Sequence, residues 1–201
     1  MLYTENMGQG SCYGEHVLEG GKYRHWNPSR SKLAAALLIG VDVEMTDSSQ
    51  ILYLGAGAGT TVSHLSDVVC NGAIFAVERS PLAMLEMLDV IKERENVFPV
   101  LADASRPRLY PVFVESVDCV YQDVAQPNQG EIAARNARLL LKKGGLLLLM
   151  VKTRSVGVEI DDTTALQKQL DVLEPNFEII QTMEIKPFYK NHYLVVACFN
   201  G

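Results

Sequence analysis

From Gln50 onward the chain repeats one unit, a short apolar run that stops near a glycine or a charged residue, followed by a longer stretch of helical pattern. Ile51 to Leu54 stops at the cluster Gly55, Gly57, Gly59. Ala73 to Val77 stops at Glu78, and Val97 to Leu101 just before Asp103. Val117 to Tyr121 leads to Asp123, and Leu146 to Val151 to Lys152. Continuous apolar runs of this kind fit strands buried on both faces. Thr60 to Val69, Pro81 to Arg94, Pro127 to Leu141 and Asp161 to Leu173 read as helices. Ser80 is placed to cap the second of these with Pro81 in its first turn, and Lys142-Lys143-Gly144-Gly145 reads as the end of the third. Phe177 to Ile185 and Tyr193 to Phe199 alternate like an antiparallel pair. The rhythm predicts an α/β fold whose mainly parallel sheet carries helices on both faces. Ligands then gather outside the carboxyl ends of the strands. Glu78, Asp103, Asp123 and Lys152 all fall at such ends, which is the strongest physical clue to function in the chain.

The first fifty residues have a different texture. Cys12 to Leu18 and Lys22 to Trp26 flank Gly20-Gly21 and read as a hairpin. Asn27-Pro28 then reads as a helix cap with proline in the first turn, opening a helix over Ser29 to Leu38. A turn at Asp47-Ser48-Ser49 divides the chain into a small domain at 1–48 and a larger one at 49–201. No apolar run approaches the roughly 20 residues needed to span a bilayer, and Met1 to Gly10 lack a basic start followed by an apolar stretch. Cys12, Cys70, Cys119 and Cys198 lie far apart, form no paired motif, and read as buried thiols among apolar neighbours. A cytoplasmic protein is expected. With 18 Lys+Arg against 24 Asp+Glu the formal charge is −6, so the chain does not coat nucleic acid by bulk charge.

Gly55 to Thr61 follow the first strand of the sheet and open a helix. Glycines there let a ligand approach the backbone, and a helix N-terminus offers free N–H groups. Gly55, Ala56 and Gly57 are therefore candidate cofactor contacts. Glu78, at the end of the next strand, is placed to accept from two ribose hydroxyls. A dinucleotide site wants a third glycine where this chain has Thr60, so spacing favours a methyl donor such as S-adenosylmethionine; a glycine turn that binds nothing is the bland alternative. Asp103 suits either a hydrogen bond from an adenine amino group or a cap on the Ala104-Ser105 turn. Asp123 and Lys152 sit at the ends of strands expected to be neighbours, as a poised catalytic pair or as a plain salt bridge. No Cys/His cluster suggests a metal.

Several segments resemble archaeal fibrillarins, the 2′-O-methyltransferase subunits of box C/D guide-RNA particles. They are Tyr23 to Ala36, Leu52 to His64, Asp123-Val124-Ala125-Gln126-Pro127, and Asn191-His192, in a match running from about Tyr13 to Phe199. The resemblance implies a small β-rich N-terminal domain on a seven-stranded, Rossmann-like methyltransferase sheet. It implies S-adenosylmethionine as cofactor, held by Thr60, Thr61, Glu78, Asp103, Ala104, Asp123 and Gln126, with Arg79, Val124 and Ala125 alongside. It also implies a catalytic group of Lys32, Asp123, Lys152 and His192, in which Lys152 deprotonates or orients the ribose hydroxyl, Asp123 places it, and Lys32 and His192 hold the ribose or tune the lysine. The implied partners are a Nop-family scaffold, a kink-turn-binding ribosomal-type protein, the guide RNA and target rRNA or tRNA, with no membrane. One departure stands out: the family's usual aromatic residue after the second-strand glutamate is here Arg79, which either replaces its stacking on adenine or points away. His16, His25 and His64 carry no implied role and read as surface or packing residues. Arg30, Lys32, Lys152, Arg154, Lys186 and Lys190 form a small basic set near the expected pocket. With so few, bare RNA is expected to bind weakly, since affinity follows the phosphates neutralised locally.

Overall fold

The computed structural model describes residues 1–8, 10–110, 112, 114, 116–157 and 159–201. The chain begins with three short strands, β1 (Tyr3–Glu5), β2 (Val17–Leu18) and β3 (Tyr23–His25). They form an antiparallel sheet of order β1-β3-β2. Helix α1 (Lys32–Leu38) leads into β4 (Gln50–Leu54), α2 (Thr60–Val68), β5 (Ala73–Glu78), α3 (Pro81–Ile91), β6 (Val97–Leu101) and β7 (Val117–Gln122). Then come α4 (Gln129–Leu140), β8 (Leu141–Lys152), α5 (Thr153–Val156), α6 (Asp162–Leu173), β9 (Phe177–Glu184) and β10 (His192–Phe199).

The seven later strands form one sheet of order β6-β5-β4-β7-β8-β10-β9. Its first five members run parallel, and β10 runs antiparallel to both β8 and β9. The expected α/β class and the seven-stranded, mainly parallel sheet are therefore what the chain adopts. Strand alternation divides the core into two apolar layers. Ile51 and Tyr53 face a layer with Leu33, Val62, Leu65 and Met87, which brings α1, α2 and α3 onto one side. Leu52 and Leu54 face a layer with Ile132, Ala137 and Leu173, which brings α4 and α6 onto the other. Burial on both faces explains why these strands read as continuous apolar runs. Among the described residues no helix is long and apolar enough to cross a membrane.

Four expectations change. The hairpin forms, but its strands shrink to Val17–Leu18 and Tyr23–His25, because a 3-10 turn at Glu19–Gly21 occupies the connection. The first helix starts at Lys32 rather than near Pro28. Asn27 instead makes a turn, its carbonyl accepting from the Arg30 and Ser31 amides and its side chain from the Ser29 amide, and Ser31 Oγ caps the helix at the Ala34 amide. Lys142 to Gly145 belong to β8 rather than to a helix end. Leu141 pairs with Val117 and Leu146 with Cys119, so these four residues bulge opposite Asp118, and Lys142 Nζ reaches Asp118 at 2.6 Å. Among the cysteines only Cys119 is buried; the other three are partly exposed, and Arg94 Nη2 donates to Cys12 Sγ.

A buried polar cluster ties the small sheet to α2. Arg24 on β3 is fully buried. It donates to Glu15 at 2.5 Å, to Asp67 at 2.7 Å and to Ser63 Oγ at 2.8 Å. Arg94 meets the other oxygen of Asp67 at 2.5 Å. His64, also fully buried, stacks on Trp26 at 5.1 Å between ring centroids and bonds Thr4 and Tyr13. His64 is thus a packing residue, the buried one of the two roles expected for it, rather than a surface one.

Candidate functional site

Strand order reverses at β4, whose neighbours are β5 on one side and β7 on the other. A crevice opens at the carboxyl ends of strands at such a switch point. Here it is a cavity of about 300 Å³, at the lower end of the ~300–1,000 Å³ typical of small-molecule sites. Its wall includes Gly55, Gly57, Glu78, Arg79, Asp103, Ala104, Asp123, Val124, Ala125 and Gln126, together with Val77, Ala102, Ser105 and Ile132. Ten of the residues proposed from sequence as cofactor contacts therefore meet around one hollow.

The loop after β4 is built for close approach. Gly55 has φ +80°, and a Cβ there would lie 2.7 Å from the Asp123 carbonyl oxygen, so a side chain is excluded on two counts. Gly57 has φ +58° and nothing within 4 Å of its absent side chain, which leaves the ligand side of the loop open. The Gly57 amide donates to Glu78 Oε2 at 2.9 Å and the Ser80 amide to Oε1 at 2.7 Å. Each carboxylate oxygen keeps lone-pair capacity for a further donor. Asp103 Oδ1 accepts from the Ser105 amide at 2.9 Å, and this hydrogen bond lowers its pKa. The turn-cap reading of Asp103 holds, while the same side chain also lines the cavity. Arg79 is exposed on the rim, where its charge adds to the lowering at Asp103.

Ala56, Thr60 and Thr61 do not line that hollow. Ala56 is buried in the apolar layer. Thr60 opens α2, and the Thr61 hydroxyl donates to Ser31 Oγ at 2.9 Å. This last bond couples the start of α2 to the cap of α1, and so to Lys32.

The four candidate catalytic side chains gather around Asp123, which lines the cavity. Asp123 is held at the end of β7, its amide bonded to the Leu54 carbonyl. Lys32, first residue of α1, reaches both carboxylate oxygens of Asp123, at 2.8 and 2.7 Å. The partner of Asp123 is therefore Lys32, not Lys152 as the strand order suggested; among the described residues Lys152 makes no ion pair. Lys152 ends β8, and His192 opens the antiparallel β10 directly opposite it. An antiparallel strand thus delivers a residue to the same end of the sheet. His192 Nδ1 lies 2.8 Å from the Lys190 carbonyl oxygen, and burial is the main influence lowering the ring's pKa.

Sequence reasoning missed the scaffolding of this corner. Gln129 is fully buried and grips the backbone of Lys152: its Oε1 accepts from the Lys152 amide at 2.8 Å and its Nε2 donates to the Lys152 carbonyl at 3.1 Å. Buried Gln122 donates to the Gln129 carbonyl at 2.8 Å. Tyr189 sets its ring 5.7 Å from the His192 ring and 5.7 Å from Lys32 Nζ. The usable signal was a glutamine ending an apolar strand, followed seven residues later by another on an inward helix face. Of the basic set, Lys186 pairs with Glu184 at 2.6 Å and Arg30 stacks over Tyr13.

The fibrillarin family model matches residues 1–201. A protein of Methanosarcina mazei, named fibrillarin-like rRNA/tRNA 2′-O-methyltransferase, is 45% identical over 208 residues, covering 98% of this chain and 89% of its own. A chain in a solved fibrillarin/Nop5p complex superposes with a TM-score of 0.93 at 41% identity, over 98% of this chain and 93% of the matched one. Fibrillarin of Aeropyrum pernix, solved with natively bound S-adenosyl-L-methionine, superposes with a TM-score of 0.87 at 40% identity, over 97% and 87%.

Proposed function

The chain belongs to the fibrillarin family, and on that premise we propose that it transfers a methyl group from S-adenosylmethionine to ribose 2′-hydroxyls of ribosomal and transfer RNA. It acts as the catalytic subunit of a box C/D particle, directed by guide RNA and assembled on a Nop-family scaffold with a kink-turn-binding protein. The observation that carries the reading is one juxtaposition. The Lys32–Asp123 pair, Lys152 and His192 meet at the strand ends, on the rim of a cavity whose wall includes Glu78 and Asp103.

The cavity suits an adenosine-bearing ligand. Glu78 would accept from the ribose hydroxyls, Asp103 from the adenine amino group, and Ala104, Val124 and Ile132 would cover the base. When bound, S-adenosylmethionine supplies a methyl group already made electrophilic by its sulfonium. The work left to this chain is in-line positioning and proton removal. The Lys32 ammonium neutralises Asp123 and fixes it at the rim, and Lys152 orients the 2′-hydroxyl. The division at residue 48 belongs to the same reading, with 1–48 supplying Lys32 to a site otherwise built by 49–201.

Reconstitution with a guide RNA, a Nop-family scaffold and the kink-turn protein tests the proposal. Methyl transfer at the guided nucleotide is expected only with all components present. Transfer indifferent to the guide would remove the guide-directed role. A chain that bound NAD in place of S-adenosylmethionine would overturn the methyltransferase reading.

A further inference from the structure

Four side chains meet at the strand ends, and they differ in what already engages them. Lys32 engages both oxygens of Asp123, so Lys32 is an ammonium and Asp123 already has its counter-charge. Lys152 is fixed through its backbone, which Gln129 grips at both the amide and the carbonyl. His192 is arranged differently. Its Nδ1 faces the Lys190 carbonyl oxygen at 2.8 Å, and a carbonyl oxygen can only accept. Nδ1 therefore carries the hydrogen, and in the neutral ring Nε2 holds the free lone pair.

The ring is held in place from several sides. Asn191, at φ +59°, donates to Asp162 at 2.5 Å, and its carbonyl accepts from the Thr153 amide at 3.1 Å, which fixes the entry into β10. Lys152 lies opposite on β8. The Tyr189 ring neighbours both His192 and Lys32. The groups facing His192 are thus Lys32 from α1, Asp123 after β7, Lys152 from β8, and Tyr189 and Lys190 from the loop before β10. Burial lowers the pKa of the ring most, with Lys32 and Lys152 adding to the effect against the opposing Lys190 carbonyl and Asp123.

We infer that His192 Nε2 accepts the proton of the ribose 2′-hydroxyl, while Lys152 donates a hydrogen bond to the same oxygen. The inference rests on the methyl-transfer reading above. The O–H bond breaks and its proton goes to Nε2. The oxygen forms a bond to the methyl carbon, and the carbon–sulfur bond breaks with its electron pair left on sulfur. The positive charge passes from the sulfonium to the imidazolium, where Asp123 is the nearby anion, and the proton then leaves to water.

The test is the single-turnover rate of methyl transfer in the assembled particle, followed over about pH 5 to 9 for three proteins. For the wild type the rate should rise through one titration below the ordinary imidazole value of about 6.5 and then level off. His192→Asn should lose about 10²–10⁴-fold and show no such titration, while S-adenosylmethionine binding by the isolated variant, read by calorimetry, stays unchanged. Lys152→Met should be slower yet keep the titration. An unchanged pH profile in His192→Asn, or loss of the titration in Lys152→Met instead, overturns the inference and leaves the methyltransferase reading standing. A wild-type particle that transfers no methyl group overturns both.

Discussion

Two clusters of opposite charges organise this molecule, and they use the same kinds of side chain for different ends. In the sealed one, Arg24 and Arg94 share Asp67, Arg24 also takes Glu15, and every partner is buried. In the open one, Lys32 and Asp123 pair at the end of the sheet with about a quarter of each side chain exposed, 24% and 23%. The sealed cluster is saturated: the Asp67 oxygens accept from Arg24, Arg94, Thr4 and the Met7 amide. The open one keeps unused capacity, with a lysine and a histidine set opposite each other beside the pair. Saturation and burial mark a structural clamp, and spare valence at a strand end marks chemistry. Removing a charge should therefore damage stability in one place and turnover in the other.

Asp123→Asn gives the largest expected effect. Methyl transfer in the assembled particle should fall by about 10²–10⁴-fold, while a partly exposed pair contributes only about 0–1 kcal/mol to stability. A single-turnover rate together with a thermal melt measures both, and a large loss of stability with little loss of rate would reverse the roles of the two clusters. Asp67→Asn should do the opposite. It removes one of the two counter-charges, Asp67 and Glu15, that the two buried guanidinium groups share, at about 3–5 kcal/mol, read by denaturant titration. The fraction that remains folded should keep its S-adenosylmethionine affinity.

The third prediction concerns the cavity between these extremes. Glu78→Gln should weaken S-adenosylmethionine binding by about 1.5–3 kcal/mol, the range for hydrogen bonds to charged groups, and should also lower the melt without cofactor, because the glutamine NH2 cannot accept from one of the two amides at Gly57 and Ser80. Calorimetry on the isolated chain decides this, and undiminished affinity would remove Glu78 from the site.

The most gradual effect, smallest per unit of pH, is the acid response of the sealed cluster. Burial holds the His64 pKa down at about 3, below the unfolded value of about 6.5, so the unfolded chain binds the extra proton first. Stability should decline as pH falls below about 6.5, by at most about 1.4 kcal/mol per pH unit. Burial alone would raise the Glu15 carboxyl, but the Cys12 and Tyr13 amides and Arg24 outweigh it and hold the carboxyl at about 2. Its contribution is present above the ordinary glutamate value of about 4.3 and is lost as pH falls toward 2. His64→Phe should flatten the upper part of that decline and leave the lower part. A curve identical to wild type would show that His64 is not sealed.

The two clusters also differ in how well they could be read from sequence. Strands buried on both faces announce themselves as apolar runs, so β4, β5, β7 and β8 and the charged residues at their ends were legible, as was the reversal of direction at the last strand pair; β6 reads as an equally apolar run but is an edge strand with Phe98 and Leu101 exposed. The pairing of Asp123 was not, because strand order alone suggests Lys152, whereas Lys32 arrives from a helix ninety-one positions away. That helix starts at Lys32 because Asn27 spends its carbonyl on a turn and Ser31 takes over the cap, a contest between two good caps that local pattern does not settle. The sealed cluster left no trace in periodicity: Arg24 sits in a three-residue strand, Glu15 reaches it from the residues just before β2, and Ser63 and Asp67 are brought to it only by the packing of the small sheet on α2. Gln129 escaped notice for the same reason, since its partner is the backbone of a strand twenty-three residues on.

The most direct test of the central claim pairs two target RNAs in the reconstituted particle, identical except that one lacks the 2′-hydroxyl at the guided nucleotide. The account predicts methyl transfer from S-adenosylmethionine to the first target at that nucleotide alone, none to the deoxy target, and none to either with Asp123→Asn. Methylation of the deoxy target, or full transfer by the Asp123→Asn protein, would contradict it.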